Sequence, residues 1–333
     1  MTKLARTGTW PGVLLAGVIL AVCLALGLAL GPVSLSLSQL WHLVTAGPVQ
    51  GDLESAIFWE IRMPRVLVAA LVGAALAVAG VILQDLFLNP LTDPYVTGVS
   101  SGAALGATFG IVLHLAPLPW MTVLALAGGF ATLGTVWVVA RRRGRIDIYV
   151  LLLAGVTISY FLTAVISVLM IRAGQDMDAI IYWLLGSFNG RSWPEVEVAL
   201  FALPFMIVPL FYAREMNILL QGEKRALELG VDVERAKRVL LFAAAALTAI
   251  AVSVSGVIGF VGLVVPHIVR LMVGPGHQRV LPIALLGDAA MLGIADLLSR
   301  TMLAPSEIPV GIVTTFVGAP LFVYLLRRRR SGS

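Results

Sequence analysis

The chain has 333 residues, 59% of them hydrophobic and 12% charged, with a formal net charge of +5. A soluble domain carries about twice that charged fraction, so the composition excludes an ordinary soluble enzyme and points to an all-α polytopic membrane protein, read as one domain over residues 1–333. The basic balance does not indicate nucleic acid, because the Lys and Arg residues gather at the ends of apolar segments, where topology accounts for them.

In chain order, ten spans are predicted, at residues 12–30, 66–83, 96–113, 120–140, 148–171, 196–212, 239–257, 261–272, 280–298 and 309–326. The third and eighth are broken by Gly or Pro. Cys23, the only cysteine, lies inside the first, so no disulfide framework exists. Val22 is too large for a lipoprotein cleavage site, and the segment is a long first span rather than a short cleavable signal.

An even count places both termini on one side. Lys3 and Arg6 at one end and Arg327 to Arg330 at the other put that side in the cytoplasm. All Lys and Arg except Arg62, Arg65, Arg172, Arg191 and Arg300 then fall inside. The outer segments 31–61 and 173–193 carry Asp52, Glu54, Glu60, Asp176 and Asp178. Tyr182, Trp183 and Trp193 there suit interfacial anchoring better than substrate stacking.

One polar island interrupts the pattern, at residues 214–238. It is too long for a simple turn between spans. Ala226, Leu227 and Leu229 form an apolar stripe beside Glu223, Lys224 and Glu228, as in a short amphipathic helix. Gly230 supplies a helix stop and Asp232 an N-cap for the next span. A solvated loop and a docking platform for a cytoplasmic partner both fit that pattern.

The sequence also repeats. Arg62-Met63-Pro64-Arg65-Val66-Leu67 is answered by Arg235-Ala236-Lys237-Arg238-Val239-Leu240, and Val78-Ala79-Gly80-Val81-Ile82 by Val254-Ser255-Gly256-Val257-Ile258. A proline follows each glycine at the same distance, Pro90 and Pro266. Five spans lie between the copies, so residues of about 62–171 and 235–326 form an inverted repeat, a transporter architecture. Within the first copy, the run 89–106 is rich in Pro, Gly and small polar residues, among them Asn89, Pro90, Gly98, Ser100, Ser101 and Gly102. Irregular backbone at membrane depth survives where it lines a cavity or is buried in protein, so these residues either pack helices closely or line a path.

Four stretches together resemble the FecCD-type permeases of ABC importers for ferric siderophores, haem and cobalamin: 61–65 (IRMPR), 89–106, 253–270 (SVSGVIGFVGLVVPHIVR) and 295–311. The similarity runs from about residue 60 to the C-terminus. It implies a type II importer fold of ten transmembrane helices, acting as a homodimer in the bacterial plasma (inner) membrane with the path at the dimer interface. Two ATP-binding subunits would sit on the cytoplasmic face, and a periplasmic or lipid-anchored substrate-binding protein outside. The resemblance assigns Arg62 and Arg300 to docking of the binding protein, against headgroup snorkelling for Arg62 and an i, i+4 pair with Asp296 for Arg300. It assigns Glu228, Leu229, Gly230, Val231 and Asp232 to coupling with the ATPase. The cytoplasmic gate falls at Asp147, Ile148, Tyr149 and Val150, bulkier than the small polar residues of some relatives.

No Gly-x-x-x-x-Gly-Lys-Ser/Thr loop is present, and the lysines are Lys3, Lys224 and Lys237. The chain is therefore read as a permease without cofactors of its own, with ATP and Mg held by the partner subunit. Asp85 and Asp296 lie near span ends, which favours structural roles. Asp288 is nearer mid-span, and a proton-coupled secondary transporter using it is the alternative. His42, His114, His267 and His277 are scattered without metal-ligand spacing.

Overall fold

The computed structural model describes residues 9–31, 35–49, 51–115, 119–142 and 145–330. Lys3, Arg6 and Arg143, which the topology argument uses, lie outside the described residues. The first apolar segment forms α1 (Thr9–Ala29). Two short helices, α2 (Leu37–Ala46) and α3 (Leu53–Ala56), lead through a π-helical turn at Ile57–Arg62 into α4 (Met63–Leu86). A 3-10 turn at Pro94–Thr97 precedes α5 (Val99–Val112) and α6 (Pro119–Ala140).

An antiparallel ribbon follows, β1 (Arg141–Arg142) on β2 (Arg145–Ile146), with Arg141 opposite Ile146. Beyond it come α7 (Ile148–Arg172), α8 (Met177–Leu184), α9 (Trp193–Leu200) and α10 (Leu203–Phe211). The polar island is α11 (Ala213–Leu219) and α12 (Glu223–Glu228). The last four helices are α13 (Val233–Ser255), α14 (Val264–Val273), α15 (His277–Thr301) and α16 (Val310–Arg330).

Among the described residues, 7 helices are long and apolar enough to cross a membrane. Three shorter apolar helices accompany them, Val99–Val112, Val264–Val273 and Val310–Tyr324. Two of these are the spans expected to be interrupted. The sixth expected span differs: it is α9 and α10 in succession, divided by a turn at Phe201 and Ala202. Pro204 explains the division, since it has no N–H for an unbroken helix but is accommodated in the first turn of α10.

The centre is α4 against α13 and α15. Small residues permit it: Gly73, Ala77, Gly80, Ala243, Ala246 and Ala249 let backbones approach closely. A methyl on Gly80 would overlap the carbonyl of Gly262, and one on Gly73 would lie 2.5 Å from the carbonyl oxygen of Asp288. By contrast, α1 and α7 bury few of their side chains. Phe161 and Ile171 of α7, and Leu14 and Val18 of α1, are among the apolar groups open to lipid or another subunit.

Candidate functional site

Functional candidates gather at the two ends of the central helices. At the expected outer end, α1 finishes with backbone carbonyls that no helical N–H can reach. Arginines supply the donors: Arg62 Nη1 donates to Leu28 O at 2.8 Å and Ala29 O at 3.0 Å, and Arg300 Nη2 to Gly27 O at 2.5 Å. Arg62 is 3% exposed and Arg300 4%. Neither guanidinium is displayed to solvent as the sequence suggested, because α1 and its neighbours close over them. The i, i+4 approach of Arg300 to Asp296 is present at 3.6 Å.

Two residues given no role from sequence complete this cluster. Arg65 holds Asp296 at 2.8 Å and Glu307 at 3.0 Å. Buried charges need such pairing. Arg65 is three residues from Arg62, a spacing that could have drawn attention to it, and Asp296 had already been considered as an i, i+4 partner of Arg300. Glu307, which comes in a loop far along the chain, carried no such signal.

At the other end lies the polar island. Ala226 of α12 is fully buried, whereas Leu227 is 62% exposed and Leu229 54%. Gly230 turns the chain at φ +77°, a conformation glycine adopts without steric cost. The Asp232 side chain then accepts from Arg235 N at 3.0 Å, capping α13. Lys237, buried, ties α12 to α13 through Glu223 at 2.5 Å. Leu229, Gly230, Val231 and Asp232 line a groove of about 340 Å³ with Arg214 and Arg235.

Two connections lead from the island into the membrane helices. Glu234 Oε2 accepts from Ile146 N at 3.1 Å, joining α13 to the ribbon just before Asp147. Asp147 caps α7, accepting from Tyr149 N at 3.0 Å and Val150 N at 3.2 Å. Ile148 and Val150 are half-buried, and Tyr149 stands 85% exposed. The second connection is a buried polar chain. Asn217 Oδ1 of α11 lies 2.7 Å from His277 Nδ1 and accepts from the His277 backbone N–H at 3.0 Å. His277 Nε2 meets Asp85 on α4, and the other Asp85 oxygen accepts from Arg270 of α14 at 2.8 Å. Arg270 also donates to Gln84, whose amide reaches Gly262 O at 3.2 Å. Nothing in the sequence pattern marked Asn217 or His277; the packing of three helices assembles them.

The run 89–106 shows dense packing. Gly98 adopts φ +80° ahead of α5. A methyl on Gly102 would overlap Thr132 and the carbonyl of Gly128 on α6. Ser100 is buried, Ser101 half-buried, and Asn89 and Pro90, in the turn after α4, are partly open to solvent. Asp288 is fully buried; its Oδ2 accepts from Gly262 N at 3.1 Å, and its Oδ1 has no hydrogen-bond partner among the described residues.

This arrangement of helices has solved and sequenced counterparts. The model of the FecCD transport family matches residues 19–328, nearly the whole chain. The chain belongs to the FecCD transport family. A cobalamin import system permease protein of Halobacterium salinarum is 46% identical over 85% of this chain and 78% of its own. A hemin transport system permease protein of Yersinia pestis is 42% identical over 94% of each. An Fe(3+) dicitrate transport system permease protein of Escherichia coli is 38% identical over 93% of this chain and 96% of its own. The fold matches a solved structure described as an inward-facing conformation of a metal-chelate type ABC transporter. The TM-score is 0.85 and the identity 31%, covering 95% of this chain and 98% of that one. As a FecCD member the chain is a multi-pass permease subunit of an ABC importer, and nothing supports the proton-coupled alternative built on Asp288.

Proposed function

We propose that this subunit works as a homodimer that moves a ferric siderophore, haem or cobalamin inward by alternating access, with a ferric siderophore our first choice. Both termini face the cytoplasm of a bacterial plasma membrane. Two ATP-binding subunits dock on residues 214–238, and a binding protein delivers cargo outside. The observation that carries this reading is the polar island. It exposes Leu227 and Leu229 on one side and joins the core through Asn217, His277 and Asp85 on the other. Closure of the ATPases would push on Glu228 to Asp232 and move α12 and α13 as a unit, because the Lys237–Glu223 pair holds the two helices together.

The inverted repeat pairs α4 to α7 with α13 to α16, which supports two halves that rock against each other. At the outer face, a carboxylate of the binding protein competing for Arg62 and Arg300 would release the end of α1 that these arginines hold. The gate at Asp147 to Val150 follows the island through Glu234. Purification of the chain from its native membrane in mild detergent tests the reading. A stoichiometric ATP-binding subunit is expected, and is lost when Glu228 to Asp232 become a Gly/Ser linker. A folded complex containing this chain alone would refute it.

A further inference from the structure

The loop between α8 and α9 carries Arg191, which lines a cavity of about 480 Å³ with Tyr182, Trp183, Asn189 and Glu307. Three polar atoms on residues of this wall are buried without a hydrogen-bond partner among the described residues: Arg191 Nε, Trp183 Nε1 and Glu307 Oε2. Arg191 is 9% exposed and Trp183 6%. Among the described residues the Arg191 side chain forms no hydrogen bond or ion pair. Burial pushes its guanidinium below the ordinary value, with the charge of Glu195 opposing. Glu195 itself is engaged locally, its Oε2 accepting from Ser192 N and Ser192 Oγ, each at 2.9 Å. Arginine stays charged in proteins, so the wall holds a cation that no described residue hydrogen-bonds or ion-pairs, with Glu195 acting on it only through its charge. A buried polar group in that state calls for an explanation, and one explanation is a ligand.

The chemistry of the wall restricts the ligand. Arg191 and Trp183 are both donors, and one is cationic. Glu307 is paired through Oε1 with Arg65 at 3.0 Å, a guanidinium it shares with Asp296, so the cation on the wall without a bonded partner among the described residues is Arg191. A carboxylate is the complementary group. The same Glu307–Arg65 pair joins this wall to the cluster of Asp296, Arg300 and Arg62, which places the cavity beside the face where a binding protein would arrive.

We propose that this cavity is a socket for an Asp or Glu side chain of the substrate-binding protein, with Arg191 as the cationic anchor and Trp183 Nε1 as a second donor. The assignment rests on the importer reading above, and adds to Arg62 and Arg300 a cation that no α1 carbonyl occupies.

The test uses the whole importer in lipid nanodiscs and its own cargo-free binding protein, with affinity measured by biolayer interferometry over a range of salt. Arg191→Gln is expected to weaken binding by at least about tenfold and to flatten its salt dependence. Arg191→Lys, which keeps the charge but loses the planar fork, recovers part of the loss. Trp183→Phe removes only the N–H and gives a smaller loss, and an unchanged elution profile shows each variant to be folded. Unchanged affinity and salt dependence in Arg191→Gln would overturn the socket. So would unchanged affinity together with Arg191-dependent retention of phosphatidylglycerol, which would assign the cavity to a headgroup. A wild-type complex that binds no binding protein at all would instead refute the importer reading beneath it.

Discussion

Asp85→Asn is the sharpest probe of the buried chain that joins the island to the core. Asp85 is 4% exposed, with one oxygen on Arg270 at 2.8 Å and the other on His277 Nε2. Removing one partner of a buried pair costs about 3–5 kcal/mol, most of it from the charge left behind. Two features put this case at the low end. Asparagine keeps the shape of the side chain, and Arg270 retains the oxygens of Gln84 and Val81. The expected loss is therefore ~3 kcal/mol, about a hundredfold in the folding equilibrium. Denaturant titration of the purified protein in mixed micelles reads it directly. A cycle with Arg270→Gln separates the pair from its surroundings. The double variant should lose less than the sum of the singles by roughly 1–3 kcal/mol. Asp85→Asn within about 0.5 kcal/mol of wild type, or additive singles, would show that the contact carries no energy and that the mechanical link is misplaced.

Gly80→Ala should abolish a monodisperse peak in fluorescence-detected size exclusion, because its methyl would overlap the Gly262 carbonyl, a backbone group that no rotamer change can move aside. Gly134→Ala is the matched control: nothing lies within 4 Å of that added methyl, so the variant should gain up to about 1 kcal/mol from helix propensity. Asp288→Asn should retain ATP-driven uptake in proteoliposomes, since its placement beside Gly262 N is structural; loss of uptake with intact folding and intact ATPase binding would restore a proton role.

Much of this molecule could be read from the sequence. Apolar length and the placement of Arg and Lys defined the membrane segments, and Gly or Pro marked the spans that form the short helices Val99–Val112 and Val264–Val273. Helix ends in the island were equally local: Gly230 and Asp232 stop one helix and start the next because their backbone and side-chain preferences act over a few residues. Arg62 and Arg300 were recognised by motif, but not their burial against α1. That depends on how α1 lies across α4 and α15, which hydropathy does not encode.

The charged partners were decided by tertiary structure alone. Asp85 and His277 are 192 residues apart, and Arg65 and Glu307 are 242 apart. No periodicity links such positions, because their contact follows from the crossing of helices whose small residues let backbones touch. The same holds for Arg191. In sequence it is one more arginine at a span end; only the folded loop buries its guanidinium beside Trp183 and Glu307 with no hydrogen-bond partner for its Nε among the described residues. Sequence set which segments enter the membrane, since burying apolar surface is a property of each segment. Packing set which polar groups meet there, since pairing a buried charge is a property of two.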